Sequence, residues 1–220
     1  MSTGPGTGLR DTKEWYLEAD PLEVVDGSLL DLVDARGGHS LLDLGCGLGG
    51  YAARLAERGH VVKALDVHPD YVDVARRLGV DADVYDGVTI PLPDKSVDTV
   101  FMIEVLEHIE HPERILSELA RVARQNVIIT VPNNMAQFTA PVTWTHMLEV
   151  DHVNFFTKDS LGALLAPAFA SVSVEEVGPA DGALARDLLP RWLFVLYRAA
   201  VRLGLARDKM FFRLVAEARV

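Results

Sequence analysis

The fold is decided by the stretch Leu41-Leu42-Asp43-Leu44-Gly45-Cys46-Gly47-Leu48-Gly49-Gly50, an apolar run that ends in a glycine-rich turn. The apolar run predicts a β-strand, and Tyr51–Arg58 after the turn predicts a helix. Glycine suits such a turn because it allows a tight backbone and the close approach of a ligand. Gly45, Gly47 and Gly50 fit the G-x-G-x-x-G spacing of dinucleotide-binding loops, so an NAD-dependent oxidoreductase has to be considered.

Strands and helices alternate outward from this turn. The predicted strands are Ser40–Leu44, Val61–Val67, Ala82–Tyr85, Val97–Ile103, Val127–Val131, Ser171–Val177 and Met210–Ala218. The predicted helices are Tyr51–Arg58, Asp70–Leu78, Pro112–Ala123 and a helix from the N-cap Thr157 to Leu165. This alternation predicts an α/β fold with a single doubly wound, mostly parallel seven-stranded sheet and a late antiparallel strand.

Length and composition limit the kind of protein. The 220 residues suit one domain, and 49% apolar residues allow a packed core. The net charge of −11 disfavours nucleic-acid binding because acidic surfaces repel phosphate backbones. With one cysteine, no signal peptide and no membrane-spanning run, we expect a soluble, cytoplasmic protein. Residues 1–12 are expected to form a disordered tail, followed by a helical cap over residues 13–36.

Three aspartates follow three successive strands and indicate the ligand. Asp43 would face a pyrophosphate with like charge, whereas S-adenosylmethionine (SAM) carries an ammonium and a sulfonium that carboxylates stabilise. Asp66 can accept the two ribose hydroxyls of either SAM or NAD. Asp86 follows the third strand, beside Gly87. The carboxylate before the loop therefore favours SAM.

The sequence here resembles the class I SAM-dependent methyltransferases, whose first motif is a strand, an acidic residue and G-x-G-x-G. The resemblance runs from Leu41 to Val131 and continues more loosely to the end, which makes residues 13–220 one Rossmann-like methyltransferase domain. It implies that Asp86 receives the adenine amino group. The cofactor-binding residues it implies are Asp43, Gly45, Cys46, Gly47, Asp66, Val67, Asp86, Gly87 and Ile103.

Glu104-Val105-Leu106-Glu107-His108 follows the fourth strand. If this segment enters a helix, residues 104, 107 and 108 lie on one face. The segment, with the later His152, resembles ubiquinone-biosynthesis O-methyltransferases and small-RNA 2′-O-methyltransferases that use a divalent metal. That resemblance implies Mg²⁺, Mn²⁺ or Zn²⁺ held by Glu104, Glu107, His108 and His152. Catalysis without metal, with His152 or His108 as general base, stays open, and Glu104 is a further candidate catalytic residue. The segment is also common in small-molecule methyltransferases with no known metal, in which it shapes the helix start and the cofactor pocket.

The predicted function is methyl transfer from SAM to a small-molecule acceptor, at oxygen. The alternatives are a small-molecule N-methyltransferase, a metal-dependent RNA 2′-O-methyltransferase-like enzyme and a SAM-binding regulatory protein. The RNA alternative lacks a basic stripe and the tryptophan-rich motif expected after the late histidine. Cys46 is expected to be a small buried residue rather than a nucleophile.

Two later segments bear on the acceptor and on partners. The stretch from 133 to 150 is expected to line the acceptor pocket through Phe138, Trp144, His146 and Met147. A helical insert over residues 183–206 is mostly apolar, with Arg191, Arg198 and Arg202 on one stripe. The part from 184 to 205 suits a lid, a homodimer face, an interfacial membrane helix or an ordinary packed helix.

Overall fold

A computed structural model describes residues 16–134, 152–180, 190–203 and 210–220. In these ranges seven strands form one sheet in the order β3-β2-β1-β4-β5-β7-β6. Their bounds are β1 Ser40–Leu44, β2 Val61–Asp66, β3 Asp81–Val84, β4 Val97–Ile103, β5 Ala123–Pro132, β6 Ser171–Ala180 and β7 Met210–Arg219. Strands β1 to β5 pair in parallel, and β7 pairs antiparallel with both β5 and β6. The predicted doubly wound sheet is confirmed.

Six helices are described with the sheet: α1 Gly27–Arg36, α2 Gly50–Glu57, α3 Pro69–Arg77, α4 Pro112–Val122, α5 Lys158–Leu165 and α6 Arg191–Arg202. The first begins because the Asp26 side chain accepts a hydrogen bond from the N–H of Ser28 at 2.9 Å. A reciprocal capping box between Thr157 and Ser160 begins α5, which confirms the predicted N-cap. None of the described helices combines the length and apolar character that a membrane-spanning helix needs.

The helices cover both faces of the sheet and bury two apolar layers. Leu30 of α1 and Leu55 of α2 pack with Phe101 of β4 on one face. On the other face, Leu119 of α4 and Leu161 of α5 pack in a second apolar cluster. Since β1 lies between β2 and β4, the strand order reverses at β1. A doubly wound sheet binds its ligand at this point, beyond the carboxyl ends of the strands.

Two elements differ from the sequence-based expectation. Helix α4 ends at Val122, and the chain enters β5 at once because Ala123 is extended and fully buried. Arg124 then bonds sideways to Asp98 and Ser40, at 2.9 and 2.8 Å, so polar residues form the start of a strand. In the expected N-terminal cap, residues 16–18 are helical and α1 begins at Gly27; the rest of its described part forms turns and bends. The tail over residues 1–12 lies outside the described residues.

Candidate functional site

The glycine turn after β1 is held against the end of β2. The N–H groups of Gly45 and Cys46 donate to the Leu65 carbonyl at 2.7 and 3.1 Å. Gly45, Gly47 and Gly49 have φ angles of 79°, 52° and 82°, a left-handed conformation that side chains disfavour. A Cβ on Gly45 would lie 2.5 Å from Cγ2 of Val105, so this glycine also permits the close approach of the segment after β4.

Asp66 joins the glycine turn to the end of β2. Its carboxylate accepts the N–H of Gly47 at 2.8 Å through Oδ2 and the N–H of His68 at 2.9 Å through Oδ1. The side chain is buried, with a residue exposure of 5%. A carboxylate oxygen has two lone pairs, so each oxygen can accept a further hydrogen bond. This geometry suits the predicted acceptance of ribose hydroxyls.

Asp43 lies beneath the same turn and is more deeply buried. Its exposure is 3%, and Oδ2 has no hydrogen-bond partner in the described part of the chain. Burial, with a smaller contribution from the nearby Asp66 charge, holds the pKa of Asp43 well above its usual range, although the Ala52 N–H opposes the shift. The buried carboxyl is therefore poised to respond to a cationic ligand.

The third predicted aspartate differs because it is exposed. Asp86 accepts the N–H groups of Val88 and Thr89 at 2.8 and 2.7 Å, and these bonds lower its pKa. Gly87 follows with φ of 81°, and a Cβ there would lie 3.2 Å from Cγ1 of Val67. Val67 and Gly87, both predicted at the cofactor site, therefore lie together beside the turn that Asp86 closes.

Tyr16 packs against the glycine turn, and Cys46 lies within it. The hydroxyl of Tyr16 lies so close to Gly47 that any Cβ there would collide with it. Burial raises the pKa of Tyr16 to about 12, and its ring meets Tyr71 edge-on at 5.3 Å. Cys46 is buried, and burial also raises the pKa of its thiol, which fits a small packed residue rather than a thiolate nucleophile.

The segment after β4 does not enter an α-helix. Only Leu106–His108 forms a short 3₁₀ turn, and Glu104 has a left-handed φ of 54°. Ile103, at the end of β4, pairs with Thr130 of β5. The Glu104 N–H donates to the Thr130 carbonyl, and its carboxylate accepts the Thr130 hydroxyl, both at 3.0 Å. The structure therefore brings three of the four predicted metal ligands together and places Glu104 in a different set of contacts.

Those contacts include a polar network that the sequence did not reveal. Arg213 of β7 donates to Asp26, the N-cap of α1, and its Nε lies 3.7 Å from Oε1 of Glu104. The Asp26 N–H donates to the Tyr51 hydroxyl at 3.0 Å, and burial raises the pKa of Tyr51 to about 12. The only signal in the sequence is an arginine inside the apolar run that makes β7. The network joins α1, α2, β4 and β7 beside the glycine turn.

Glu107, His108 and His152 form a compact cluster of candidate ligands. One ligand atom from each lies within 4.8 Å of those of the other two. The two imidazole rings meet edge-on with centroids 4.7 Å apart, and Glu107 is 1% exposed. A buried carboxylate beside two imidazoles is a donor set that suits a divalent cation, or a proton shared with a histidine.

Backbone hydrogen bonds hold this cluster together across the sequence. The Glu107 carbonyl accepts the N–H groups of Val153 and Asn154, each at 3.0 Å. The Asn154 side-chain amide donates to the Ile109 carbonyl. His152 is placed against His108 because the segment that follows it is bonded to the turn carrying Glu107. His111 is exposed and lies 3.5 Å from Glu113.

The sequence also predicted residues of the acceptor pocket and of the helical insert. Those of the acceptor pocket, Phe138, Trp144, His146 and Met147, lie outside the described residues. Helix α6 confirms a helix within the predicted insert, and Arg202 is exposed on it.

Comparison with known proteins finds similarity to methyltransferases. Residues 42–131 match the family model described as methyltransferase domain. The chain is 33% identical over 122 residues to the ubiquinone biosynthesis O-methyltransferase of Hahella chejuensis, covering 50% of this chain and 51% of that enzyme. It is 29% identical over 112 residues to the ajmaline N-methyltransferase of Rauvolfia serpentina, covering 47% of this chain and 38% of that enzyme. The matches thus span about half or less of those relatives.

The fold also resembles that of a solved structure. A SAM-dependent methyltransferase from Archaeoglobus fulgidus superposes with a TM-score of 0.71 at 17% identity. The superposition covers 96% of this chain and 100% of that chain. At this identity the likeness concerns the fold.

Proposed function

We propose that this chain, a member of the class I SAM-dependent methyltransferases, transfers a methyl group to an oxygen atom of a small-molecule acceptor. The observation that carries the choice of oxygen is the cluster of Glu107, His108 and His152. It is formed by the segment after β4, which approaches the glycine turn at Val105. A hydroxyl acceptor must lose its proton before or during attack, and this cluster supplies groups that can assist the loss.

The cofactor site is assigned to the carboxyl ends of β1, β2 and β3. SAM, when bound, supplies a methyl group made electrophilic by the sulfonium. Asp66 accepts the ribose hydroxyls, and the glycine turn lets the backbone approach the ligand closely. Asp43 lies buried beneath the turn and would contribute negative charge once the cationic cofactor is bound. Transfer by in-line displacement then depends on holding the acceptor oxygen close to the methyl carbon and aligned with it.

The acceptor side is assigned to the segment after β4. Glu107, His108 and His152 would hold a divalent cation, which would lower the pKa of a bound hydroxyl. Without a cation, His152 or His108 takes the proton itself. Glu104 has a structural role, because its carboxylate accepts a hydrogen bond from the Thr130 hydroxyl and lies near Arg213.

Nitrogen methylation is the second candidate, favoured by the likeness to the ajmaline N-methyltransferase. A neutral amine attacks without prior loss of a proton, so the cluster would then shape the pocket rather than act as base or metal site. Panels of phenolic, hydroxy-acid and amine acceptors, scored by S-adenosylhomocysteine (SAH) formation, separate the two candidates. Turnover of amines alone would overturn the choice of oxygen.

The cofactor assignment is tested by thermal shift with SAH. A ligand at 100 times its dissociation constant adds about 2.7 kcal/mol, or about 5–10 °C in a chain of this size. No shift at saturating SAH would overturn the assignment.

The metal assignment is tested by titrating Mn²⁺ and recording the free ion by electron paramagnetic resonance. We expect His152→Ala to weaken Mn²⁺ binding strongly while the SAH shift stays unchanged. The matched control is His111→Ala, since His111 lies close to the cluster in sequence but is exposed. Equal Mn²⁺ binding by wild type and His152→Ala would exclude the metal site.

A further inference from the structure

Two buried carboxylates lie side by side beneath the glycine turn. Asp43 and Asp66 are 3% and 5% exposed, and both lie close enough to the Cys46 thiol and the Tyr16 hydroxyl for a negative charge on either acid to raise the pKa of those groups. Neither of those neighbours carries a positive charge. From the α3 side, the backbone N–H of His68 donates to Asp66, while the exposed His68 ring meets the Tyr71 ring edge-on.

Hydrogen bonds distinguish the two acids. Asp66 accepts one backbone N–H on each oxygen, so both of its carboxylate oxygens have a hydrogen-bond partner. Asp43 receives the Ala52 N–H, but its Oδ2 is buried without a partner among the residues described. A charged Asp43 would therefore leave a carboxylate oxygen in an apolar environment beside a second negative charge. Of the two, Asp43 is the one better suited to hold a proton.

We propose that Asp43 is protonated in the ligand-free protein and releases this proton to solvent when SAM binds, so that the Asp43–Asp66 pair selects SAM over SAH by charge. The inference rests on the proposed cofactor site. SAM carries one more positive charge than SAH, because methyl transfer converts its sulfonium into a neutral thioether. The added positive charge favours the ionised form of Asp43, and its loss returns the proton from solvent.

Two consequences follow from this linkage. SAM affinity rises as the pH is raised, by up to about tenfold per pH unit, because binding releases a proton. SAH affinity depends less on pH, so the product binds relatively more weakly as the pH rises. The buried pair would thereby favour exchange of product for fresh cofactor.

The test is isothermal titration calorimetry of the full chain with SAM and with SAH, repeated in buffers of different ionisation enthalpy. The dependence of the observed heat on that enthalpy gives the number of protons released. We expect a release approaching one proton for SAM and a smaller release for SAH. In Asp43→Asn the release should disappear, while in the matched control Asp94→Asn, whose side chain is 76% exposed, it should persist.

The outcomes separate this inference from the proposed function. Equal heats of SAM binding in every buffer would overturn the proton linkage and leave the methyltransferase assignment intact. Failure of both SAM and SAH to bind folded wild-type protein would overturn the assignment itself. Proton release that persists in Asp43→Asn would exclude Asp43 as its source. Since Asp43→Asn can fail to fold, the wild-type buffer series is enough by itself to refute the proton linkage.

Discussion

Replacing Gly45 by alanine tests the packing of the glycine turn against the segment after β4. The residue has φ of 79°, and a Cβ would lie 2.5 and 2.7 Å from the two methyl carbons of Val105. A left-handed backbone costs a non-glycine residue about 1–2 kcal/mol. Overpacking adds about 1–3 kcal/mol. We therefore expect Gly45→Ala to lower the free energy of unfolding by about 2–5 kcal/mol.

The measurement is unfolding in urea, monitored by circular dichroism. The slope of the free energy of unfolding against urea concentration should be the same for all variants. The double variant Gly45→Ala/Val105→Ala removes both colliding methyl groups and leaves the Val105 Cβ at 3.2 Å. It should recover most of the overpacking share, about 1–3 kcal/mol, but not the backbone share. Val105→Ala alone is the matched control for the loss of the valine side chain. If the changes in the free energy of unfolding caused by the two single substitutions add up to that of the double variant within about 0.5 kcal/mol, the collision with Val105 is refuted. An unchanged stability of Gly45→Ala would refute the backbone argument as well.

Two further predictions follow from hydrogen bonds of the sheet and the site. Hydrogen bonds from the Ser40 N–H and from Arg124 lower the pKa of Asp98 in the folded protein. Ionised Asp98 therefore stabilises the fold above the unfolded pKa of about 3.9, and this stabilisation is lost as the pH falls through the lower folded pKa. Asp98→Asn should cost about 1–2 kcal/mol at neutral pH, and acid unfolding curves in which the deficit does not shrink would contradict this. Asn154→Ala removes the amide that bonds the Ile109 carbonyl. It should weaken Mn²⁺ binding by about tenfold with an unchanged SAH shift, and unaltered Mn²⁺ binding would show that this bond does not orient the cluster.

Much of the fold could be predicted from the sequence because the periodic signals were strong. The apolar runs Val61–Asp66 and Val97–Ile103 are bounded by turn residues and became central strands. The beginning of β5 could not be predicted, because Arg124 and Gln125 are polar and lie between Ala123 and Asn126, both of which pair with β4. Such pairing joins residues far apart in sequence, which local propensity does not report.

The candidate site could be predicted in part for the same reason. The glycine turn and Asp66 are signals within a short stretch, and the structure places them together. The prediction that Glu104 shares a helical face with Glu107 and His108 was wrong, because the Glu104 backbone is left-handed and its carboxylate is hydrogen-bonded to Thr130 of the next strand. The network of Arg213 with Asp26 joins residues 187 positions apart, and no short motif marks such a contact.

The position of β7 has a consequence for the order in which the protein is made. This strand lies between β5 and β6, so β6 pairs with a strand synthesised after it. Until residues 210–219 leave the ribosome, β5 presents an unpaired edge and Glu104 lacks the guanidinium of Arg213. Open edges of this kind invite pairing with other chains during synthesis. The sheet is therefore completed by a late insertion rather than by growth at its edge, and a fluorescence or protease probe of stalled nascent chains should detect closure only after β7 emerges.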